Sequence, residues 1–360
     1  MNKHQGIDKM MQERIEKFNQ LVMNLDFKNT PAGLYNGKMG LCIYFYELAY
    51  MTSEKKYSVF AEKLLNDIVP NIAENIAIDM ETGLTGICIA INYLLDKGYV
   101  SGNPNSVLKN FDDKILRSLL FNRTFENDKN MNLSITLLYL SSRLQHTGLN
   151  KDERRIMQDV IIENINRIES SDTEKFTEPT FFSSTGYFTP IYLKLLQQIY
   201  KLHFYDYKIE RIVKEISSHI LYRYPLNKAN RLLLCSEMNE IEMIFENIKG
   251  WNEHIGVLQQ NLNIPQIIHE FRNKNMAFFN GLCGFYYLLR KTGHGNEYND
   301  LFLDKISSSD IWDQLYENDN ALYLPTGLYG GISGVILTYM HIFYNSGYVI
   351  FFDKVISQYV

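Results

Sequence analysis

The chain has 360 residues, of which 46% are apolar and 21% charged, so it can bury a large core and is not globally disordered. Its 36 Lys and Arg against 41 Asp and Glu give a net charge of -5, which provides no basic footprint for nucleic acid or an anionic membrane. Four scattered cysteines without a C-x-x-C pair exclude a disulfide framework and fit a reducing compartment.

Two segments of the chain bear on targeting and membrane insertion. The N-terminal MNKHQGIDKMMQERIEK is charged throughout and has no apolar signal core, so we expect a cytoplasmic protein. Residues 320–352 carry no formal charge and are long enough to span a bilayer, but they contain Pro325 and several glycines. This stretch predicts a loop and one buried helix, and we expect no membrane insertion.

Four segments along the chain share a small-residue turn that runs into an apolar helix. They are GLYNGKMGLCIYFYELAY from Gly33, GLTGICIAINYLLDKG from Gly83, FFNGLCGFYYLLRKTG from Phe278 and GLYGGISGVILTYMHIFY from Gly327. Weaker copies place Ser134, Thr189 and Glu240 at the position of the second glycine, giving seven units of about fifty residues. The glycine pairs of the four strong copies are Gly37 and Gly40, Gly83 and Gly86, Gly281 and Gly284, and Gly331 and Gly334.

The segments between these units have a different pattern. Stretches from Ser53, Lys151 and Tyr207 repeat apolar residues at helical spacing with charges on the opposite face, which is typical of helices half exposed to water. The pair Asp112 and Asp113 lies at the start of a charged helical stretch, where we expect a solvated face or an interaction with the dipole at the helix N-terminus.

Apolar inner and amphipathic outer helices in alternation, with no β-alternation, predict an all-α fold. The last unit is as apolar as the first and cannot cap an open array, so we expect a closed α/α-toroid of seven inner and seven outer helices, formed by residues 1–360 as one domain. The glycines would let the inner helices approach near the ring axis. Free amides at the helix N-termini would then surround a central cavity.

These turns resemble the repeats of lanthionine synthetase C-like (LanC-like) proteins. The resemblance implies an α/α-toroid and an activity that closes thioether rings in ribosomally made peptides. That activity uses a zinc ion, which lowers the pKa of a cysteine thiol so that the thiolate can attack. In the family, zinc is held by a Cys in a Trp-Cys-Tyr-Gly motif of the fifth repeat and by a Cys and a His in a Cys-His-Gly motif of the sixth.

The matching positions in this chain have lost most of that chemistry. Leu234-Cys235-Ser236-Glu237 stands in the fifth repeat and Phe279-Asn280-Gly281 in the sixth, while the fourth-repeat His-Gly of the family matches Thr185-Gly186. Phe cannot bind zinc and Thr cannot titrate near neutral pH, so we predict no catalytic residue and no metal or other cofactor. The residues expected to line the cavity and contact a peptide are Thr185, Cys235, Ser236, Phe279, Asn280 and Cys283.

Three functions remain open on the sequence. The favoured hypothesis is a zinc-free, peptide-binding component of a bacterial lanthipeptide-type modification system, with a precursor peptide and a modification enzyme as partners. The second is a divergent cyclase in which Cys235 and Cys283 face each other and help to hold zinc, although two thiolates leave a tetrahedral site incomplete. The third is an α/α-toroid carbohydrate-active enzyme, for which Glu237 and Glu240 are the available carboxylate pair.

Overall fold

The computed structural model describes residues 3–72, 76–121, 129–170, 180–182, 188–245, 248–278, 280–294, 296–315 and 325–344. Within these ranges the chain forms helices and turns and no strand, as the all-α prediction requires. In chain order the α-helices are α1 (Lys3–Met23), α2 (Lys38–Thr52), α3 (Lys55–Ile68), α4 (Leu84–Asp96), α5 (Pro104–Val107), α6 (Lys109–Phe121), α7 (Lys129–Gln145), α8 (Lys151–Ser170), α9 (Phe188–Lys201), α10 (Asp206–Ile220), α11 (Lys228–Glu242), α12 (Trp251–Gln259), α13 (Ile264–Glu270), α14 (Leu282–Lys291), α15 (Asn299–Ser307), α16 (Ile311–Gln314) and α17 (Ile332–Tyr344).

Inner and outer helices differ in how much of their surface is buried. Every residue of α2 from Met39 to Leu48 is buried, so this part of the helix has no solvent face. Helix α10 buries Ile209, Ile212, Val213 and Ile216 on one side and exposes charged residues on the other. The predicted alternation of apolar inner and amphipathic outer helices is therefore present. We number the repeats one to seven by their inner helices, α2, α4, α7, α9, α11, α14 and α17.

The inner helices contact one another in a closed cycle. Each packs against the next in chain order, and α17 of repeat seven packs against α2 of repeat one. The backbone closes the same junction, because the amides of Leu328 and Tyr329 donate to the carbonyl of Tyr35 at 3.0 and 3.2 Å. On the outside, the Arg14 guanidinium of α1 donates to the Ser307 carbonyl of α15 at 2.6 Å. The α/α-toroid is confirmed, and the assignment of residues 1–360 to one domain stays a prediction.

One buried ion pair joins the second and third repeats. The Asp112 carboxylate of α6 accepts from the Arg143 Nε of α7 at 3.0 Å and from the Tyr139 hydroxyl at 2.5 Å. Both charged side chains are almost completely buried. The expected solvated face is thus wrong for Asp112, because its partner lies on a different helix, whereas Asp113 is exposed. Among the described helices, none is long and apolar enough to cross a bilayer.

Candidate functional site

Each of the four glycine turns folds back over the start of its own inner helix. The first helical amide donates to a carbonyl seven residues earlier, which leaves that amide unavailable to a ligand. The expectation of free amides is wrong at these positions, because the turn itself supplies the acceptors. The bonds run from Lys38 to Pro31 (2.8 Å), Leu84 to Ala77 (2.8 Å), Leu282 to Asn275 (3.0 Å) and Ile332 to Pro325 (2.9 Å).

The same folding explains why these turns contain glycine. At Gly334 a Cβ would lie 1.9 Å from the carbonyl oxygen of Leu328, and at Gly37 it would lie 2.4 Å from that of Gly33. Such distances are far inside van der Waals contact, so a side chain would force the backbone apart. The nearest obstacle is the residue's own turn, and not a neighbouring helix at the ring axis. The other six glycines, Gly40, Gly83, Gly86, Gly281, Gly284 and Gly331, likewise have a carbonyl of their own turn at 2.0 to 2.4 Å.

In three of the four turns, an apolar residue packs on the glycine of the following repeat. A Cβ on Gly86 would meet Leu34 of repeat one at 3.0 Å, and a Cβ on Gly40 would meet Leu328 of repeat seven at 3.2 Å. Phe278 of repeat six stands in the same relation to Gly334, at 3.6 Å. The turns of repeats six, seven, one and two therefore lie side by side at one end of the ring. We call residues 31–37, 77–83, 275–281 and 325–331 the turn face.

Between repeats four and six, the contact on the glycine does not come from the preceding repeat. The side chain nearest Gly284 of repeat six is Phe181, which precedes α9 of repeat four and so reaches past repeat five. Its amide donates to the Asn230 side chain at 2.8 Å, and its ring meets Phe271 and Phe285 edge-on at 6.2 and 5.9 Å. An aromatic cluster thus packs between repeats four, five and six.

Asn230 also identifies the true start of repeat five. It is the third residue of α11, the place that glycine holds in the four strong turns, and the Asn227 side chain caps the helix by accepting from the Asn230 and Ala229 amides. The sequence pattern had put Glu240 at this position. The difference arises because an asparagine cap replaces the glycine turn.

The predicted site residues lie at different depths. Asn280 immediately precedes the N-cap of α14, with a φ of 62° and a buried side-chain oxygen that has no hydrogen-bond partner among the described residues. Cys283 is the second residue of α14, about 1.5 Å along the helix axis, whereas Cys235 and Ser236 lie about 10 Å from the start of α11. Thr185 and Phe279 lie outside the described residues.

The residues that the structure describes do not fit a zinc site. Burial raises the pKa of the Cys235 thiol to about 12 and that of the Cys283 thiol to about 12, so both are neutral thiols near neutral pH in the metal-free chain. Both cysteines are buried, as are Cys42 and Cys88. In the described ranges, no three His, Cys, Asp or Glu side chains come together as a metal-binding group.

The two glutamates considered for glycoside hydrolysis have separate surroundings. Glu237 is 1% exposed, neither carboxyl oxygen has a hydrogen-bond partner among the described residues, and burial raises its pKa to about 8. Glu240 lies 3.5 Å from the Lys194 ammonium. Both follow the second turn of α11 and lie far from the helix start where that chemistry was expected. Periodicity alone does not indicate that the Glu237 carboxyl group is buried without a hydrogen-bond partner among the described residues.

Comparison with known proteins supports the interpretation of the repeats. The family model of lanthionine synthetase C-like proteins matches residues 28–187. No curated protein matches the chain. The matched region contains the first two glycine turns and the helices α2 to α8. The resemblance drawn from the glycine turns is confirmed over residues 28–187, where the chain is similar to lanthionine synthetase C-like proteins.

Proposed function

We propose that this protein is a zinc-free LanC-like protein that binds a peptide as an accessory component of a bacterial ribosomal-peptide modification system. Its partners in this proposal are a lanthipeptide-type precursor peptide and a modification enzyme, in the cytoplasm. The family match supports a peptide ligand, because the LanC-like family acts on peptides. The observation that carries the zinc-free part is the replacement of the sixth-repeat Cys and His ligands of the family by Phe279 and Asn280. Among the described residues, no three possible ligands come together as a metal-binding group.

The packing of repeats four to six supports the same conclusion. Phe181 rests on the turn of repeat six and bonds to Asn230 of repeat five, so an aromatic cluster joins the three repeats that carry the ligands and the acid or base in the family. A zinc ion with an open position for a thiol needs a polar pocket that water can reach. Apolar packing there favours a structural wall over a reaction centre.

The turn face offers groups suited to a peptide. Tyr35 is half-buried and stacks on Tyr329 at 5.3 Å, and Glu81 beside it is exposed. Asn280 adds the buried side-chain oxygen described above. Aromatic rings and hydrogen-bonding groups in alternation are common in surfaces that bind peptides. We therefore place the peptide across this face.

Metal analysis separates the proposal from the divergent cyclase. We expect the purified protein to hold zinc well below one equivalent and to gain none when zinc is added. Stoichiometric zinc that disappears in Cys235→Ala/Cys283→Ala, but not in the matched variant Cys42→Ala/Cys88→Ala, would establish the cyclase instead. The matched variant removes two equally buried cysteines from repeats one and two.

Peptide binding is tested by titration with the precursor peptide encoded beside the gene, labelled for fluorescence anisotropy. We expect saturable binding that Glu81→Lys weakens and Glu62→Lys, a change on the exposed side of α3, does not. Absence of binding at high micromolar concentration would contradict the proposed function. Equal effects of the two variants would contradict the placement on the turn face.

A further inference from the structure

A groove of about 730 Å³ lies on the outer wall of the ring between α3 and α6. Its floor is formed by Ile91 and Leu95 near the carboxyl end of α4, at the opposite end of that helix from the Gly83 turn. Its volume falls within the range of about 300 to 1,000 Å³ that is usual for ligand sites. We call this the α6 groove.

The walls of the α6 groove are apolar and partly open to solvent. Val69, following α3, is 41% exposed and Val107, preceding α6, is 40% exposed, while Leu65 and Phe111 are half-buried between them. Single exposed apolar residues are ordinary, but a continuous set that lines a concavity marks a binding surface. The groove can therefore bind apolar side chains.

The rim of the groove carries positive charge. Lys114 and Arg117 are three residues apart on α6, so they share one helix face, and both are exposed. Neither forms an ion pair with a described residue, and Asp113 is the one acidic residue that lines the groove. Lys109, on the side of α6 that faces α8, is instead paired with Glu153. A chain of net charge -5 therefore presents, beside an apolar groove, two cations that form no ion pair with the residues that the structure describes.

Arg117 also reaches the other side of α6. A smaller cavity of about 230 Å³ lies there against α8, and Arg117 and Asp113 line both spaces. The exposed Leu120 lines this smaller cavity, and the exposed Phe121 is the last residue of α6. The helix is therefore flanked by two concavities with a basic group between them.

We propose that the α6 groove binds a second, acidic and amphipathic segment of the peptide, away from the turn face. Its apolar side chains enter the floor formed by α4, and its carboxylates pair with Lys114 and Arg117. The proposal rests on the proposed function, since it adds a second anchoring point for the same peptide. Contact at two places on one chain strengthens binding without new chemistry at either place.

The chemistry favours a peptide over a membrane. Anionic membranes are bound by clusters of about four to eight basic residues, each contributing about 1 kcal/mol. The groove offers two cations and one carboxylate. A helical segment with apolar residues on one face and carboxylates on its flank satisfies both the floor and the rim.

The test uses a designed peptide of about 15 residues, labelled with fluorescein, with Leu at helical spacing and Glu on the flank. We expect saturable binding that Lys114→Glu/Arg117→Glu weakens about tenfold and that rising salt weakens. The matched control is Lys214→Glu/Arg272→Glu, which makes the same charge change at exposed sites outside the groove. Val69→Ser/Val107→Ser should weaken binding while leaving the salt dependence unchanged.

Several results would overturn the proposal. They are equal loss in the two charge variants, equal binding of a peptide with Lys in place of Glu, and binding of anionic phosphatidylglycerol vesicles through Lys114 and Arg117. Circular dichroism of each variant shows whether it is folded. If the precursor peptide binds the protein but ignores the groove variants, the second anchor fails and the proposed function stands. If the designed peptide binds through the groove while the precursor peptide does not bind, the proposed function fails, and with it the assignment of the groove to that peptide.

Discussion

Replacing Glu237 by Gln removes an ionisable group from the interior of the ring while keeping its size. The side chain is 1% exposed, and its two oxygens have no hydrogen-bond partner among the described residues. Burial raises its pKa to about 8, against 4.5 for an unperturbed glutamate. Between these two pH values the folded protein therefore holds a proton that the unfolded chain has lost.

That difference makes stability depend on pH with a defined sign. Because the folded state binds the extra proton, the free energy of unfolding falls as pH rises from 4.5 to about 8, by roughly 1.4 kcal/mol per pH unit. His341 acts in the opposite sense at lower pH, since burial lowers its pKa from 6.5 to about 4. Between pH 6.5 and 8 Glu237 acts without that opposition, and its contribution is a loss of roughly 2 kcal/mol.

The assay is urea unfolding, followed by circular dichroism, at several pH values between about 6.5 and 8. The wild type and Glu242→Gln, which changes an exposed residue of the same helix, should both lose stability across this range. Glu237→Gln should lose roughly 2 kcal/mol less, because Gln has no proton to release. Parallel curves for all three proteins would refute a protonated, buried Glu237.

Three further predictions follow from packing and burial. In thermal denaturation, Gly334→Ala should destabilise the folded protein by roughly 1 to 3 kcal/mol, because the added Cβ would meet the Leu328 carbonyl. Gly256→Ala, where a Cβ would have no atom within 4 Å, should instead stabilise the protein by roughly 0.5 to 1 kcal/mol. Equal shifts in the two variants would contradict the turn geometry. Arg143→Met should lower the free energy of unfolding in urea by about 3 to 5 kcal/mol, because it removes the Asp112 ion pair. Adding Asp112→Leu to this variant should recover most of that stability. No recovery would argue against the ion pair. The four buried thiols should react with dithionitrobenzoate only on unfolding, and rapid labelling of the native protein would contradict their burial.

The inner helices were predictable where glycine marks their start. Gly37, Gly83 and Gly281 are the N-caps of α2, α4 and α14, so a local pattern located these helices to within a residue or two. Repeat five shows the limit of that signal. Asn227 caps α11 through its side chain, and without glycines the pattern moved ten residues along to Glu240.

Interactions between distant segments were not predictable from periodicity. Phe181 reaches Gly284 across a whole repeat, and no spacing in the sequence indicates that path. Asp112 is buried because Arg143 lies beside it on another helix, although its local sequence is that of a solvated face. The candidate site depends on such contacts more than the fold does. The loss of the family ligands stays a prediction from the sequence, whereas the depths of Cys235, Asn280 and Cys283 along their helices required the structure.

Closure of the ring changes how the molecule opens. In a linear array of repeats the terminal units have one neighbour and fray first. Here Tyr35 accepts from Leu328 and Tyr329, so the repeats that come first and last in the chain protect each other. Amide hydrogens of α2 and α17 should consequently exchange with solvent as slowly as those of α9. Loss of any one repeat exposes two interfaces at once, which favours unfolding as a unit over progressive loss from an end.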